Sequence, residues 1–173
     1  QQPNPWRLRI RGPRVRLGPA KLLPIGGQAD LGRMALDQLH FVELLLHGSD
    51  ITLVGTGTVL SKAAGAAKIL KGKGIHVRLI NLHTIKPLDK ELILKAARET
   101  GKIVTVEEGY VAGGMGSCIA EFLSVEHPVP MKMIGVNDQF AEPGPYEDVL
   151  ALYGLQSGQI AETVEHFLKS GKR

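Results

Sequence analysis

The sequence contains a single cysteine, Cys118, so no disulfide can form within the chain. A disulfide-framed scaffold is excluded, and the thiol content fits a reducing compartment, with the cytoplasm as the expected location. No apolar run approaches the ~20 residues that a membrane-crossing helix needs. The opening QQPNPW has neither an initiator Met nor a signal-peptide layout, and reads as the start of a fragment or a processed piece. The six histidines (His40, His47, His76, His83, His127, His166) show no metal-ligand spacing such as i, i+4 on one helix. There is no internal repeat and no low-complexity tract.

Acidic residues are missing before Asp30, whereas Arg7, Arg9, Arg11, Arg14, Arg16 and Lys21 all precede it. Residues 1–50 carry seven basic and four acidic side chains, and residues 51–173 carry fourteen and thirteen, so the net charge of +4 is concentrated at the front. A basic arm can bind nucleic acid or an anionic surface. No nucleic-acid module follows it, so the preferred reading is a solvated or displaced arm, with neither nucleic acid nor membrane as partner. The arm, residues 1–28, alternates apolar and basic side chains from Trp6 to Arg11, which means extended chain. Pro13, Pro19 and Pro24 keep it out of a central strand.

What remains is ordinary globular composition. Apolar residues make up 43% and charged residues 22%, enough for one cored domain with an extra segment. The spacing predicts a helix near 30–39 and a strand near 41–46. With the turn at 47–50 and the strand Ile51–Val54, that strand reads as an antiparallel hairpin. From Ile51 the chain alternates regularly. Helices are expected at Val59–Lys71, from Asp89 as cap to about Arg98, Gly116–Val125, Tyr146–Tyr153 and Ser157–Lys169. Strands are expected at Ile75–Ile80, Lys102–Val106 and Met131–Val136. The fold class is α/β: a three-layer doubly wound sheet of about five strands, four parallel and one antiparallel.

The stretch IVTVEEGYVAGGMGS at 103–117 is the candidate site. It reads as a strand ended by Glu107 and Glu108, then a glycine loop, then a helix. Gly113, Gly114, Gly116 and Ser117 have the geometry of an anion cradle at a helix N-terminus. The two carboxylates just upstream would repel an anion, and the glycines serve equally to let another backbone pack closely. Adjacent strand residues face opposite ways, so Glu107 and Glu108 cannot form one acid–base pair. One can cap a neighbouring helix while the other meets solvent or a partner. Gly55-Thr56-Gly57 does not complete a dinucleotide or Walker pattern and reads as a tight turn. Cys118 reads as a small buried residue rather than a nucleophile. Lys86-Pro87 sits at a strand-to-helix crossover on the same edge.

Four segments together carry a resemblance: DITLVGTG (50–57), INLHTIKPLD (80–89), VTVEEGYVAGGMGS (104–117) and MIGVNDQF…YGL (133–155). They resemble the C-terminal domain of transketolase-type thiamine diphosphate enzymes, nearest to the C-terminal section of split microbial transketolases. The same domain closes deoxyxylulose-phosphate synthase and the β subunit of 2-oxoacid dehydrogenases. Order and spacing agree from about Gly48 to Phe167. Within 1–28, Gly12–Gly18 resembles the last strand of a preceding pyrimidine-binding domain. Residues 29–47 are a divergent entry segment, and 48–173 form the domain proper.

The resemblance implies a negative for chemistry. Thiamine diphosphate and its divalent metal belong between diphosphate-binding and pyrimidine-binding domains. It therefore implies no catalytic, cofactor-binding or metal residue in this chain, and an assembly role without activity of its own. The implied partners are those two domains, or the subunit that carries them, in a homodimeric enzyme. From a different class, the glycine loop leaves open a nucleotide- or anion-binding module.

Overall fold

The computed structural model describes residues 43–170. The basic arm and the helix expected near 30–39 lie outside the described residues. Five strands form one sheet: β1 (Glu43–Leu46), β2 (Ile51–Gly55), β3 (Val77–Asn81), β4 (Ile103–Tyr110) and β5 (Met131–Val136). Their order across the sheet is β1-β3-β2-β4-β5. The pairs β2–β3, β2–β4 and β4–β5 are parallel, and β1 runs antiparallel to β3. One antiparallel strand beside four parallel ones agrees with the expected class.

The helices are α1 (Leu60–Gly72), α2 (Lys90–Thr100), α3 (Met115–Glu126), α4 (Tyr146–Leu152) and α5 (Ser157–Ser170). Parallel strands joined by helical crossovers are covered on both faces, which is why all five residues of β2 are buried. On one face Ala63, Ala66, Ala67 and Leu70 of α1 meet Ile160, Ala161 and Val164 of α5 above Leu53, Leu79 and Val104. On the other face Ile93, Ala96 and Ala97 of α2 and Ile119 and Leu123 of α3 close over Val54, Ile80 and Ile103. Each fully buried Leu or Ile contributes about 1.5–3 kcal/mol. Local signals set the helix ends. The Asp89 carboxylate accepts the Leu92 N–H at 2.9 Å, and Gly101 stops α2 in the left-handed conformation, φ 66°.

Two expectations are corrected. The strand at 43–46 does not form a hairpin with β2; it pairs with β3, which lies between them. The link His47–Asp50 crosses the start of β3 instead of turning back. Gly48 makes the crossing possible, since a Cβ there would stand 2.1 Å from the Val77 carbonyl carbon. The crossing is stitched down by the His76 N–H, which donates to the Asp50 carboxylate at 2.6 Å. The second correction concerns the acidic pair. Glu107 and Glu108 do not end β4; the strand continues to Tyr110, with a register shift against β5 between Val106 and Tyr110.

The direction of β1 has a geometric result. Its first residue, Glu43, lies opposite Asn81, the last residue of β3. The polypeptide before Glu43 therefore enters at the edge where the parallel strands end.

Candidate functional site at the C-terminal edge of the sheet

The chain leaves β2 toward β3 on one side, and leaves β4 toward β5 on the other. Beyond the ends of β2 and β4 lies the topological switch point, where doubly wound folds usually seat ligands. Thr58 and Glu108 stand there, and the glycine loop is beside them.

Glu107 points away from that crevice, toward α3. It is buried at 5% exposure, and a buried carboxylate needs partners. Its two oxygens accept the Met115 N–H at 2.7 Å and the Gly116 N–H at 2.8 Å. These are orphan donors of the first turn of α3, and they lie at the positive end of the helix dipole. The cap thus comes from the preceding strand, since Gly114 at the N-cap position has no side chain to offer. The helix terminus has its anion already, supplied by the protein.

The glycines follow from this arrangement. A Cβ on Gly114 would stand 2.3 Å from both Glu107 Oε2 and the Tyr110 carbonyl oxygen. One on Gly116 would stand 2.5 Å from Thr105 Oγ1, so α3 can rest this close to β4 only without it. Gly113 turns the loop with φ 76°. Ser117 Oγ accepts the Gly113 N–H at 3.0 Å and donates to the Val111 carbonyl at 2.6 Å, clasping the loop from inside. Cys118 is half-buried in the first turn of α3.

Glu108 faces the other way and is exposed. Its Oε1 accepts the hydroxyl protons of Thr58 and Tyr146, and those two hydroxyl oxygens are 2.8 Å apart. The hydrogen bond to Glu108 is the main reason that the Tyr146 phenol is held above its ordinary acidity range. Tyr146 opens α4, so this contact draws α4 over the switch point. Glu147 reinforces it: its carboxylate receives Lys62 Nζ at 2.6 Å and Gln156 Nε2 at 2.8 Å, which together lower its pKa, the Gln156 bond most. The separation of the two carboxylates agrees with the alternation expected on a strand. Sequence reasoning missed Thr58 and Tyr146, which lie 50 and 38 residues from Glu108, too far for any local pattern. It also missed Gly135, where a Cβ would stand 2.9 Å from the Gly109 carbonyl oxygen and block the β4–β5 bulge.

The edge also exposes apolar surface. Phe140, in the loop between β5 and α4, is 97% exposed, and Tyr110 at the end of β4 is 45% exposed. Among the described residues no group of three His, Cys, Asp or Glu side chains is arranged to hold a metal ion.

The family model described as "Transketolase, C-terminal domain" matches residues 41–160. The chain is 42% identical over 137 residues to one subunit of the apulose-4-phosphate transketolase of Phocaeicola vulgatus, covering 77% of this chain and 44% of that protein. It is 40% identical over 139 residues to 1-deoxy-D-xylulose-5-phosphate synthase of Caldanaerobacter subterraneus subsp. tengcongensis, covering 80% of this chain and 22% of that one. A solved structure titled "Split gene transketolase, inactive beta4 tetramer" matches with a TM-score of 0.70 at 41% identity, over 74% of this chain and 42% of that one. The chain thus spans less than half the length of each of these relatives. By the family match, the sheet order and the identities together, the chain belongs to the transketolase C-terminal domain family.

Proposed function

We propose that this chain is the assembly domain of a transketolase-type enzyme which, as a whole, moves two-carbon ketol units between sugar phosphates. One observation carries the reading: at both places where a doubly wound fold would take a small ligand, polar groups are already engaged by the chain's own side chains. Glu107 occupies the N-terminus of α3, and at the switch point the exposed side chains of Tyr146, Glu108 and Thr58 are bonded to one another. The same edge meanwhile offers exposed aromatic surface. An edge whose polar groups are engaged internally and which exposes aromatic rings among polar residues is suited to another protein domain. The glycine loop is accordingly a packing element, which argues against a free-standing nucleotide or anion module.

The Met115 and Gly116 N–H groups that could receive a diphosphate at the α3 terminus are taken by the Glu107 carboxylate, so this terminus does not fit the thiamine diphosphate tail. The cofactor and its divalent metal are assigned to pyrimidine-binding and diphosphate-binding domains of the same enzyme, in one chain or in a separate subunit. The relatives support both forms, since one is named a transketolase subunit and another is a far longer protein. A homodimer of the full enzyme and a cytoplasmic location complete the proposal. Among the described residues no helix is long and apolar enough to cross a membrane.

The test is reconstitution. The chain with thiamine diphosphate, magnesium and sugar phosphates should show no ketol transfer, and activity should appear when it is co-produced with the cofactor-bearing segments of its enzyme. Ketol transfer by the chain alone would overturn the reading. The identity to a deoxyxylulose-phosphate synthase keeps a second whole-enzyme activity in view. Assaying deoxyxylulose-phosphate formation in the same reconstituted sample distinguishes the two.

A further inference from the structure

We propose that Phe140 is the aromatic anchor through which this domain docks onto the cofactor-bearing part of its enzyme, an inference that rests on the assembly reading above. At 97% exposure Phe140 leaves essentially its whole ring in water. Phe122 and Phe167, by contrast, pack against the two cores. The exposure is not that of an untethered loop. The Gln139 N–H donates to the Asn137 carbonyl at 2.6 Å, and the Glu142 N–H donates to the Tyr153 hydroxyl at 2.9 Å. Just beyond, Tyr146 is bonded to Glu108, and Glu147 is held by Lys62 and Gln156. The ring is presented on a fixed support, so little ordering remains to be done when it is covered.

Three features specify the occupant. Tyr110, at the end of β4, and Tyr146, at the start of α4, are both about half exposed and add aromatic surface at the same strand ends. Asp138, Glu142 and Asp148 are exposed around the loop, giving a polar, acidic rim of the kind that encloses aromatic hot spots. The complementary surface is an apolar socket bordered by Lys or Arg. Finally, the polypeptide preceding Glu43 enters at this edge. The strand ends that carry this entry point also carry the β5–α4 loop with Phe140, although β1 and β5 are the outermost strands of the sheet.

The experiment places the photo-crosslinking residue benzoylphenylalanine at position 140. As a control it goes at position 125, where Val125 is 81% exposed near the far end of α3. Each variant is co-produced with the cofactor-bearing segments of its own enzyme, irradiated, and mapped by mass spectrometry. Crosslinks into those segments from position 140 but not 125 are expected. Phe140→Ala should weaken association at least about tenfold, as loss of a hot-spot aromatic does, with unchanged circular dichroism. If the segments co-purify but position 140 crosslinks to nothing or to a second copy of this chain, or Phe140→Ala binds as tightly as wild type, the anchor assignment fails and the assembly reading stands. If the segments do not associate with the unmodified chain, both fail.

Discussion

Gly114 and Glu107 are fitted to one another: the space a methyl group would take on Gly114 is already occupied by Glu107 Oε2, 2.3 Å away. Gly114 has φ −83°, which any residue can adopt, so its constraint is spatial. Gly113 beside it has φ 76° and nothing within 4 Å of where a methyl group would stand, so its constraint is conformational. Gly114→Ala should therefore destabilise more than Gly113→Ala, by about 3 kcal/mol against about 1 kcal/mol. Gly113→Asn should be milder still, since Asn tolerates the left-handed region. Urea unfolding of the three variants checks the order, and equal losses at the two positions would refute it.

Glu107→Gln keeps the shape of the side chain but turns one acceptor into a donor. That amide NH₂ must then face the N–H of Met115 or Gly116. The expected loss is about 2 kcal/mol, or roughly 6–10 °C in melting temperature for a domain of this size. Glu108→Gln, on the exposed side of the same strand, should cost less than about 1 kcal/mol. Thermal melts of both variants decide the point. A larger loss at Glu108 would mean that the buried carboxylate is not what seats α3.

The Tyr146–Glu108 contact makes a statement about alkaline pH. The Tyr146 pKa is raised above its ordinary 10.0 in the folded chain, chiefly by the bond to Glu108, while the Thr58 hydroxyl opposes the shift. A raised pKa means that the contribution is fully present below pH 10.0 and is lost as pH rises through the folded value. In Glu108→Gln the Tyr146 ring resonances should titrate at lower pH than in the wild type. An unchanged midpoint would show that the two groups are not bonded in solution.

Glu165 makes the converse statement on the acid side. Lys169 Nζ at 2.7 Å and Lys73 Nζ at 2.6 Å flank its carboxylate and hold its pKa at about 2, with Lys169 the larger influence. The stabilisation is present above the ordinary value of 4.5 and is lost as pH falls from there toward about 2. The site is on the surface, so added salt should reduce the shift. Lys169→Met should bring the Glu165 midpoint, followed by carboxyl NMR, back toward the ordinary value. No movement would exclude the pairing.

Much of the fold is legible in the sequence because its signals are local. The strand expected at Met131–Val136 matches β5 to the residue, and Asp89 caps α2 as its position before the apolar face indicates. The resemblance carries the fold and the family. The partner of β1 is not legible, because alternation marks a strand without naming its neighbour, and β3 arrives 30 residues later in the chain to separate β1 from β2. At the site, spacing alone splits Glu107 from Glu108. It cannot say which one is buried, because that depends on where α3 begins and on Gly114 leaving room. The Tyr146–Glu108 contact depends on two segments brought together only by the finished sheet.

The reversed direction of β1 gives the domain one working edge. The entry to β1 and the candidate docking face lie at the same strand ends, on the two outer sides of the sheet, so a partner seated there would span the sheet's width. A fused domain would gain an effective local concentration in the millimolar range, while a separately made one could dock on the same footprint without refolding. Whether such an enzyme is encoded as one gene or two would then be a matter of dose and regulation rather than of architecture.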